Sequence, residues 1–222
     1  MAIETVAEIR KEVLRIVGHV IKGETTTIDI LSFMNKGIKE IAGEVLLPKL
    51  IETETTVLTV VDTAYASLPD NFMRNLHYCY SDTQSRKIKV YDDVRLLYRE
   101  FSRIDLAGSV VGISVRGEEL YYQRIPASAE TLRIHYYKYP TELTASSGQP
   151  DCLPEFLVRP LLVNFVVKEL FSIIDTGPTT QENTIKYQHF FDAAMVRLKE
   201  YMGPENREPQ YIYDDVNLEG YL

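Results

Sequence analysis

The spacing of hydrophobic residues changes twice along this chain of 222 residues. Near the N-terminus, apolar residues recur every three or four positions, which is the spacing of one face of an α-helix. From residue 53 to residue 139 the segments are short, partly alternating and rich in Thr, Val and Tyr, as is typical of β-strands. Helical spacing returns after residue 153. The sequence therefore predicts an α+β fold in which strands interrupt a set of helices.

Two helices are predicted within residues 1–50, where they form an N-terminal helical hairpin. Gly23 ends the first helix, and Thr26 with Asp29 begins the second with a capping box. Pro48 closes the second helix. The predicted apolar stripes are Val6, Ile9, Val13, Ile16, Val17 and Val20, followed by Ile28, Leu31, Met34, Ile38, Ile41 and Val45.

A C-terminal helical pair is predicted within residues 153–202, and it completes a four-helix core. Pro154 suits the first turn of the third helix, whereas Pro160 should either kink that helix or mark its true start. The fourth helix runs from about Thr179 to Met202, where Gly203 stops it. Its predicted stripe is Ile185, Phe190, Phe191, Ala194, Leu198 and Met202.

The inserted β module is predicted at residues 51–143, and we expect it to be antiparallel. Strands are predicted at residues 53–61, 65–69, 86–91 and 131–139, with a hairpin of residues 111–116 and 120–125 turning at Gly117. Residues 92–102 have helical spacing and predict one short helix within the module.

Residues 203–222 predict an extended C-terminal tail. The segment after Gly203 contains five acidic residues against one basic residue, and it is too short to bury a core of its own. A frayed terminus is one interpretation. Its many apolar side chains favour another, a docking arm that orders on a neighbouring subunit. The arm residues are Tyr211, Ile212, Tyr213, Val216, Leu218, Tyr221 and Leu222.

Net charge argues against nucleic-acid binding by the chain as a whole. The formal charge is −8, so the basic footprint that gives nonspecific DNA affinity is missing. The densest basic cluster is Arg86, Lys87 and Lys89, for which an exposed strand edge protected by charge is the simplest interpretation. Neither a signal peptide nor an uninterrupted apolar span is recognisable, and we expect the protein to be made in a cytoplasm without a membrane role.

A search for catalytic or metal-binding patterns predicts no enzyme, no cofactor and no metal site. The four histidines do not form a helical zinc motif, and His77 and Cys79 are an isolated pair in a predicted turn. His135 is predicted to be a surface or interface residue. The acidic pairs Asp92-Asp93 and Asp214-Asp215 are expected to be solvated. The remaining expectation is a structural protein that binds other protein subunits.

Four local segments carry a resemblance to a known family. They are FMNKGIKEIA at residues 33–42, YASLPDNFMR at residues 65–74, LRIHYYKYP at residues 132–140 and LPE at residues 153–155. In this order, with helices around inserted strands, they resemble the head-to-tail connector (adaptor) proteins of short-tailed, podovirus-like bacteriophages. The resemblance covers nearly the whole chain, although no single segment is diagnostic.

The resemblance implies a structural virion protein at the head–tail junction. Such proteins form a ring, commonly a dodecamer, that joins the portal protein to tail or nozzle proteins. Genomic DNA passes through the ring without specific binding. The tail after Gly203 looks like the arm that family members extend onto the portal or a neighbouring copy. The family offers no catalytic residues to transfer.

Other functions stay open on the sequence alone. A head-completion or tail-terminator protein would have a similar character. A carbohydrate- or ligand-binding β module on a helical scaffold is possible because 15 tyrosines could stack on sugars, although the absence of Trp argues against it. An enzyme with an unrecognised site, for example around His77 or Asp70, is the last alternative.

Overall fold

The computed structural model describes residues 4–18, 30–101, 103, 105–174 and 178–203. These residues form an α+β fold that divides into a helical unit, Met1–Leu47 with Glu142–Leu222, and a β unit, Pro48–Thr141. In chain order the helices and strands are α1 Val6–Val17, α2 Ile30–Glu44, β1 Ile51–Leu58, β2 Tyr65–Ser67, β3 Phe72–Ser81, β4 Arg86–Tyr91, α3 Val94–Glu100, β5 Gly112–Arg116, β6 Glu119–Gln123, β7 Thr131–Lys138, α4 Glu155–Ile174 and α5 Pro178–Met202.

The first helix follows from its cap and its stripe. Thr5 and Glu8 form a capping box in which each side chain accepts a hydrogen bond from the other residue's backbone N–H. Four residues of the first predicted stripe are buried, and so are four of the second, the last of which directly follows α2: Val6, Ile9, Val13, Val17, Met34, Ile38, Ile41 and Val45. Val20, Gly23, Thr26, Ile28 and Asp29, which carried other predictions, lie outside the described residues.

Helix α4 packs against α1, α2 and α5 within the helical unit. Apolar side chains surround almost its whole circumference, so several of its faces need a partner. Pro160 lies inside the helix, which shows that it does not mark the helix start. The Asn164 side chain donates a hydrogen bond of 2.7 Å to the Pro160 carbonyl.

Gly37 allows α2 to approach α4 closely. A Cβ atom at this position would lie 2.7 Å from Cδ1 of Phe165, which is nearer than such atoms come without movement. Phe165 is fully buried and meets Phe191 of α5 edge-to-face at 5.4 Å between ring centres. The ring therefore has little room to retreat, and the absence of a side chain at Gly37 sets the helix spacing.

An amide clamp fixes the segment that leads into α4. The Asn35 side chain donates a hydrogen bond of 3.0 Å to the Leu143 carbonyl and accepts one of 2.8 Å from the Leu143 amide. Because both polar groups of one backbone residue are satisfied by one side chain, the segment is held against α2 in a defined register.

The β unit is a curled seven-stranded sheet in the order β1-β7-β3-β4-β5-β6-β2, and its two end strands also contact each other. All pairs are antiparallel except β4 with β5, so the expectation of a purely antiparallel module is wrong. The crossover through α3, which packs on both strands, brings β5 in parallel to β4. The inner face buries residues such as Cys79, Ile88, Ile113, Tyr122, Leu132 and Ile134.

Strand β3 was not predicted from the sequence. It lacks a regular alternation, and its pairing with β7 shifts register between Phe72 and Arg74 and again before Tyr78. Asn75 within it has a φ of 54°, in the left-handed region. An irregular strand of this kind has no period-two signal, which explains why the sequence predicts a turn at His77 and Cys79.

We predict opposite effects of alanine at two glycines of α2. Gly37→Ala should lower the free energy of unfolding by about 1–3 kcal/mol, because its methyl group meets the Phe165 ring. Gly43→Ala should raise it by about 0.5–1 kcal/mol, because this exposed position has nothing within 4 Å of an added Cβ and alanine favours the helix. Chemical denaturation of both variants tests this, and a stabilising Gly37→Ala would contradict the close approach.

A second pair of variants tests which face of α5 is buried. Leu198 is fully buried, and Leu198→Ala should cost about 2–5 kcal/mol of unfolding free energy. Val196 is 55% exposed, and Val196→Ala should change stability by less than about 0.5 kcal/mol. Equal losses in denaturant titrations would show that the helix is rotated from this orientation.

Candidate assembly surface

The structure does not bring His77 and Cys79 together as metal ligands. Cys79 is buried in the core of the β unit, where burial raises the pKa of its thiol to about 12, whereas His77 is exposed. Among the residues that the structure describes, no group of three His, Cys, Asp or Glu side chains could hold a metal ion. Cys79 therefore contributes to the packing of the β unit.

Aromatic and basic side chains share the outer face of the β unit. The rings of Tyr78 and His135 lie 4.5 Å apart, His77 approaches His135 at 6.0 Å, and the Lys87 ammonium lies 5.6 Å from the Tyr78 ring centre. Burial, followed by the charges of His77 and Arg133, lowers the pKa of His135. The half-buried imidazole is thus neutral at pH 7 and packs as a flat ring.

The basic cluster of β4 lies in the middle of the sheet, between β3 and β5, so the interpretation as an exposed strand edge is wrong. Arg86 donates a hydrogen bond of 2.8 Å to the Val110 carbonyl. Lys89 pairs with Glu100 at 3.0 Å and lies 4.8 Å from the Tyr91 ring centre. Together with the contact of Lys87 on the Tyr78 ring, these interactions engage all three cations inside the β unit itself.

The acidic pair Asp92-Asp93 has a local structural role. The Asp93 side chain accepts a hydrogen bond of 2.7 Å from the Arg95 amide and caps α3. Asp92 is exposed beside it. Asp214 and Asp215 lie outside the described residues.

Helix α5 exposes large apolar side chains along its length. Phe191, Ala194 and Leu198 are buried as predicted, but Ile185 and Phe190 are 58% and 47% exposed, so their assignment to the core is wrong. No residue from 181 to 190 is buried. The helical spacing is correct, but the first half of the helix is covered on too few sides to bury its apolar residues.

Two aromatic clusters lie where α4 and α5 meet. Near the start of α5, Tyr187 stacks on Phe171 at 5.8 Å and meets Phe190 edge-to-face at 5.8 Å. Near its end, Phe156 and Tyr201 meet edge-to-face at 5.1 Å, and each is 61% exposed. Exposed aromatic residues of this size are typical of protein interfaces rather than of free surfaces.

Cations accompany these exposed rings. The Lys186 ammonium lies 5.8 Å from the Phe190 ring centre, and Arg197 is exposed one turn before Tyr201. Lys168 differs, because it is largely buried, lies 4.3 Å from the Phe165 ring centre and pairs with Glu169 at 3.3 Å. Burial raises the pKa of Glu169, but hydrogen bonds from Lys36 and Lys168 outweigh it and lower that pKa overall.

We use the name α5 stripe for the residues Lys186, Phe190, Ala193, Arg197 and Tyr201. They follow one another at spacings of four, three, four and four, which places them on one face over a length of about 22 Å. All five are exposed. The signal was present in the sequence, since Lys186 and Arg197 share this face with Phe190, but an apolar stripe alone cannot distinguish an interface from a core.

The predicted docking arm lies outside the described residues, so the placement of Tyr211, Ile212, Tyr213, Val216, Leu218, Tyr221 and Leu222 stays a prediction. Within the described ranges, no helix is long and apolar enough to cross a membrane.

A family model for the SU10 adaptor protein matches residues 4–214 of the chain. No curated protein matches the chain. The match begins before α1, includes every helix and strand described above, and continues into the acidic tail. Because the family model accounts for nearly the whole sequence, the chain belongs to the SU10 adaptor protein family.

Proposed function

We propose that this protein is a subunit of the head-to-tail connector of a short-tailed bacteriophage, where a ring of copies joins the portal protein to the tail. Membership of the SU10 adaptor protein family carries the proposal, because it assigns a phage structural adaptor role to nearly the whole chain. The features that remain to be explained are the exposed residues of α5 and the acidic, aromatic composition of the tail.

The exposed side chains of α5 support an assembly role. Phe190 and Tyr201 are 47% and 61% exposed in the monomer, and burial of the remaining apolar surface of both in an interface is favourable. The helical unit would therefore supply contacts between neighbouring copies, commonly twelve in such rings. The outer face of the β unit, with Tyr78 and His135, would supply a surface for tail or nozzle proteins.

The tail would act as the docking arm towards the portal or a neighbouring copy. A segment that orders only on binding covers a large surface at a modest net affinity, which suits a joint that must assemble in sequence. The formal charge of −8 suits a ring through which DNA slides, because a strongly basic lining would retain the phosphates.

The alternative of a head-completion or tail-terminator protein predicts different neighbours. Co-purification from infected cells with the portal protein supports the connector role, and recovery with tail-tube protein instead would replace it. A carbohydrate-binding β module would require glycan binding by the isolated protein.

We predict that removal of residues 204–222 leaves the fold intact and abolishes docking. The helices and strands described here end before this segment, so thermal unfolding followed by circular dichroism should change little. Binding to purified portal protein, measured by sedimentation, should be lost.

A matched variant separates the aromatic from the acidic contribution of the arm. Replacement of Tyr211, Tyr213 and Tyr221 by Ser keeps all five acidic residues and should still weaken docking at least tenfold, or about 1.4 kcal/mol, because aromatic anchors dominate interface energies. Unchanged portal binding by the truncated protein would refute docking of the arm on the portal.

A further inference from the structure

Two histidine rings approach each other on the outer face of the β unit, where strand pairing brings together residues that are far apart in the sequence. His77 lies on β3 and His135 on β7, and their ring centres are 6.0 Å apart. Zinc holds imidazole nitrogens at about 2.0–2.1 Å, so the ring centres of two histidines on one ion lie roughly 4.5–6.4 Å apart as the angle at the metal widens. The tetrahedral value is about 5.2 Å, which a small rotation of the exposed His77 side chain provides.

The hydrogen bond of His77 leaves one ring nitrogen for a metal ion. Nδ1 lies 3.1 Å from the backbone oxygen of Asn75. Because a carbonyl oxygen only accepts hydrogen bonds, Nδ1 carries the proton and Nε2 keeps a free lone pair. Histidines that bind metals commonly donate their other N–H to a carbonyl in this way, which fixes the tautomer and raises the basicity of the ligand. His77 is exposed, so an ion can reach its ring from solution.

His135 is oriented by packing rather than by hydrogen bonds. Its ring centre lies 4.5 Å from that of Tyr78, and the side chain is half-buried. Within the described ranges, neither ring nitrogen of His135 forms a hydrogen bond with the protein. Burial, followed by the charges of His77 and Arg133, lowers the pKa of His135, so the ring is neutral at pH 7 and retains a lone pair. A metal ion would give this partly desolvated nitrogen a partner.

The charges around the two histidines do not exclude a cation. Arg133 pairs with Asp82 at 3.0 Å, so their formal charges cancel. Lys87 lies 5.6 Å from the Tyr78 ring centre and forms no ion pair with the described residues. Lys87 is exposed, and its repulsion of another cation is therefore weakened by water and salt. One screened positive charge lowers the affinity of the histidines for a metal ion without abolishing it.

We propose that His77 and His135 together bind a divalent transition-metal ion such as Zn²⁺. Imidazole is a preferred ligand of zinc, copper and nickel, whereas magnesium and calcium prefer oxygen ligands. Among the described residues no third His, Cys, Asp or Glu completes a metal-binding cluster, so water fills the remaining coordination positions. The site does not depend on the proposed assembly function, and it adds a binding chemistry to the outer face of the β unit.

Zinc titration of the full-length protein near pH 7 tests the proposal. Isothermal titration calorimetry with ZnCl₂ should show saturable binding with an equimolar end point. In NMR spectra, the ring-nitrogen signals of His77 and His135 should shift together over the same range of zinc concentration. MgCl₂ over that range should shift neither signal, because Mg²⁺ prefers oxygen ligands and gives up its water reluctantly.

Single substitutions identify the ligands. His77→Ala and His135→Ala should each lower the zinc affinity at least about tenfold, because one imidazole alone holds the ion weakly. His189→Ala removes an exposed histidine of α5 and is the matched control, which should leave the zinc affinity unchanged. Lys87→Gln should raise the zinc affinity about two- to threefold, since it removes a nearby repulsive charge.

Two results would overturn the proposal. Equal zinc affinity of the unaltered protein and the His77→Ala variant would place the ion elsewhere. Absence of saturable binding up to about 1 mM zinc would show that the two histidines are not a site. Circular dichroism of each variant confirms folding, and His135→Asn, which keeps a polar side chain on β7, takes the place of His135→Ala where the latter does not fold.

Discussion

Helix α4 cannot face water on most of its sides, and the rest of the helical unit is arranged around that constraint. Its buried residues occur on every turn, including Val158, Leu162, Phe165 and Leu170. Three helices cover it, and the tightest approach is made possible by Gly37 of α2. A helix of this composition is unstable alone, so it orders only when its neighbours are in place. The helical unit therefore gains stability and shape from the same contacts.

Amphipathic helices and alternating strands were readable in the sequence because one buried face leaves a period. The stripe of α1 and the alternation of Leu132, Ile134 and Tyr136 in β7 are of this kind. Strand β3 was not readable, because its irregular register destroys the period. Parallel pairing of β4 with β5 was also hidden, since partner choice depends on the crossover rather than on the strands themselves.

The sequence also could not predict which apolar residues of α5 are buried and which are exposed. Phe190 and Phe191 are adjacent aromatic residues in one helix, yet one is exposed and the other buried. Sequence identifies both as apolar, and only the extent of coverage by other elements separates them. The predicted docking arm illustrates the converse, because its composition predicts a binding role although no local pattern gives its partner. On α5 buried and exposed residues occupy neighbouring faces, since Leu198 is buried in the core and Arg197, the residue before it, is exposed.

The buried thiol of Cys79 has a consequence for the life of a phage particle. A component of a virion spends long periods outside the cell, in surroundings that oxidise exposed thiols. Oxidation and disulfide exchange proceed through the thiolate, which a pKa of about 12 and complete burial make scarce at Cys79. Cys152 is buried as well. Burial of both thiols therefore disfavours covalent cross-linking of the protein through its two cysteines while a particle is outside a host.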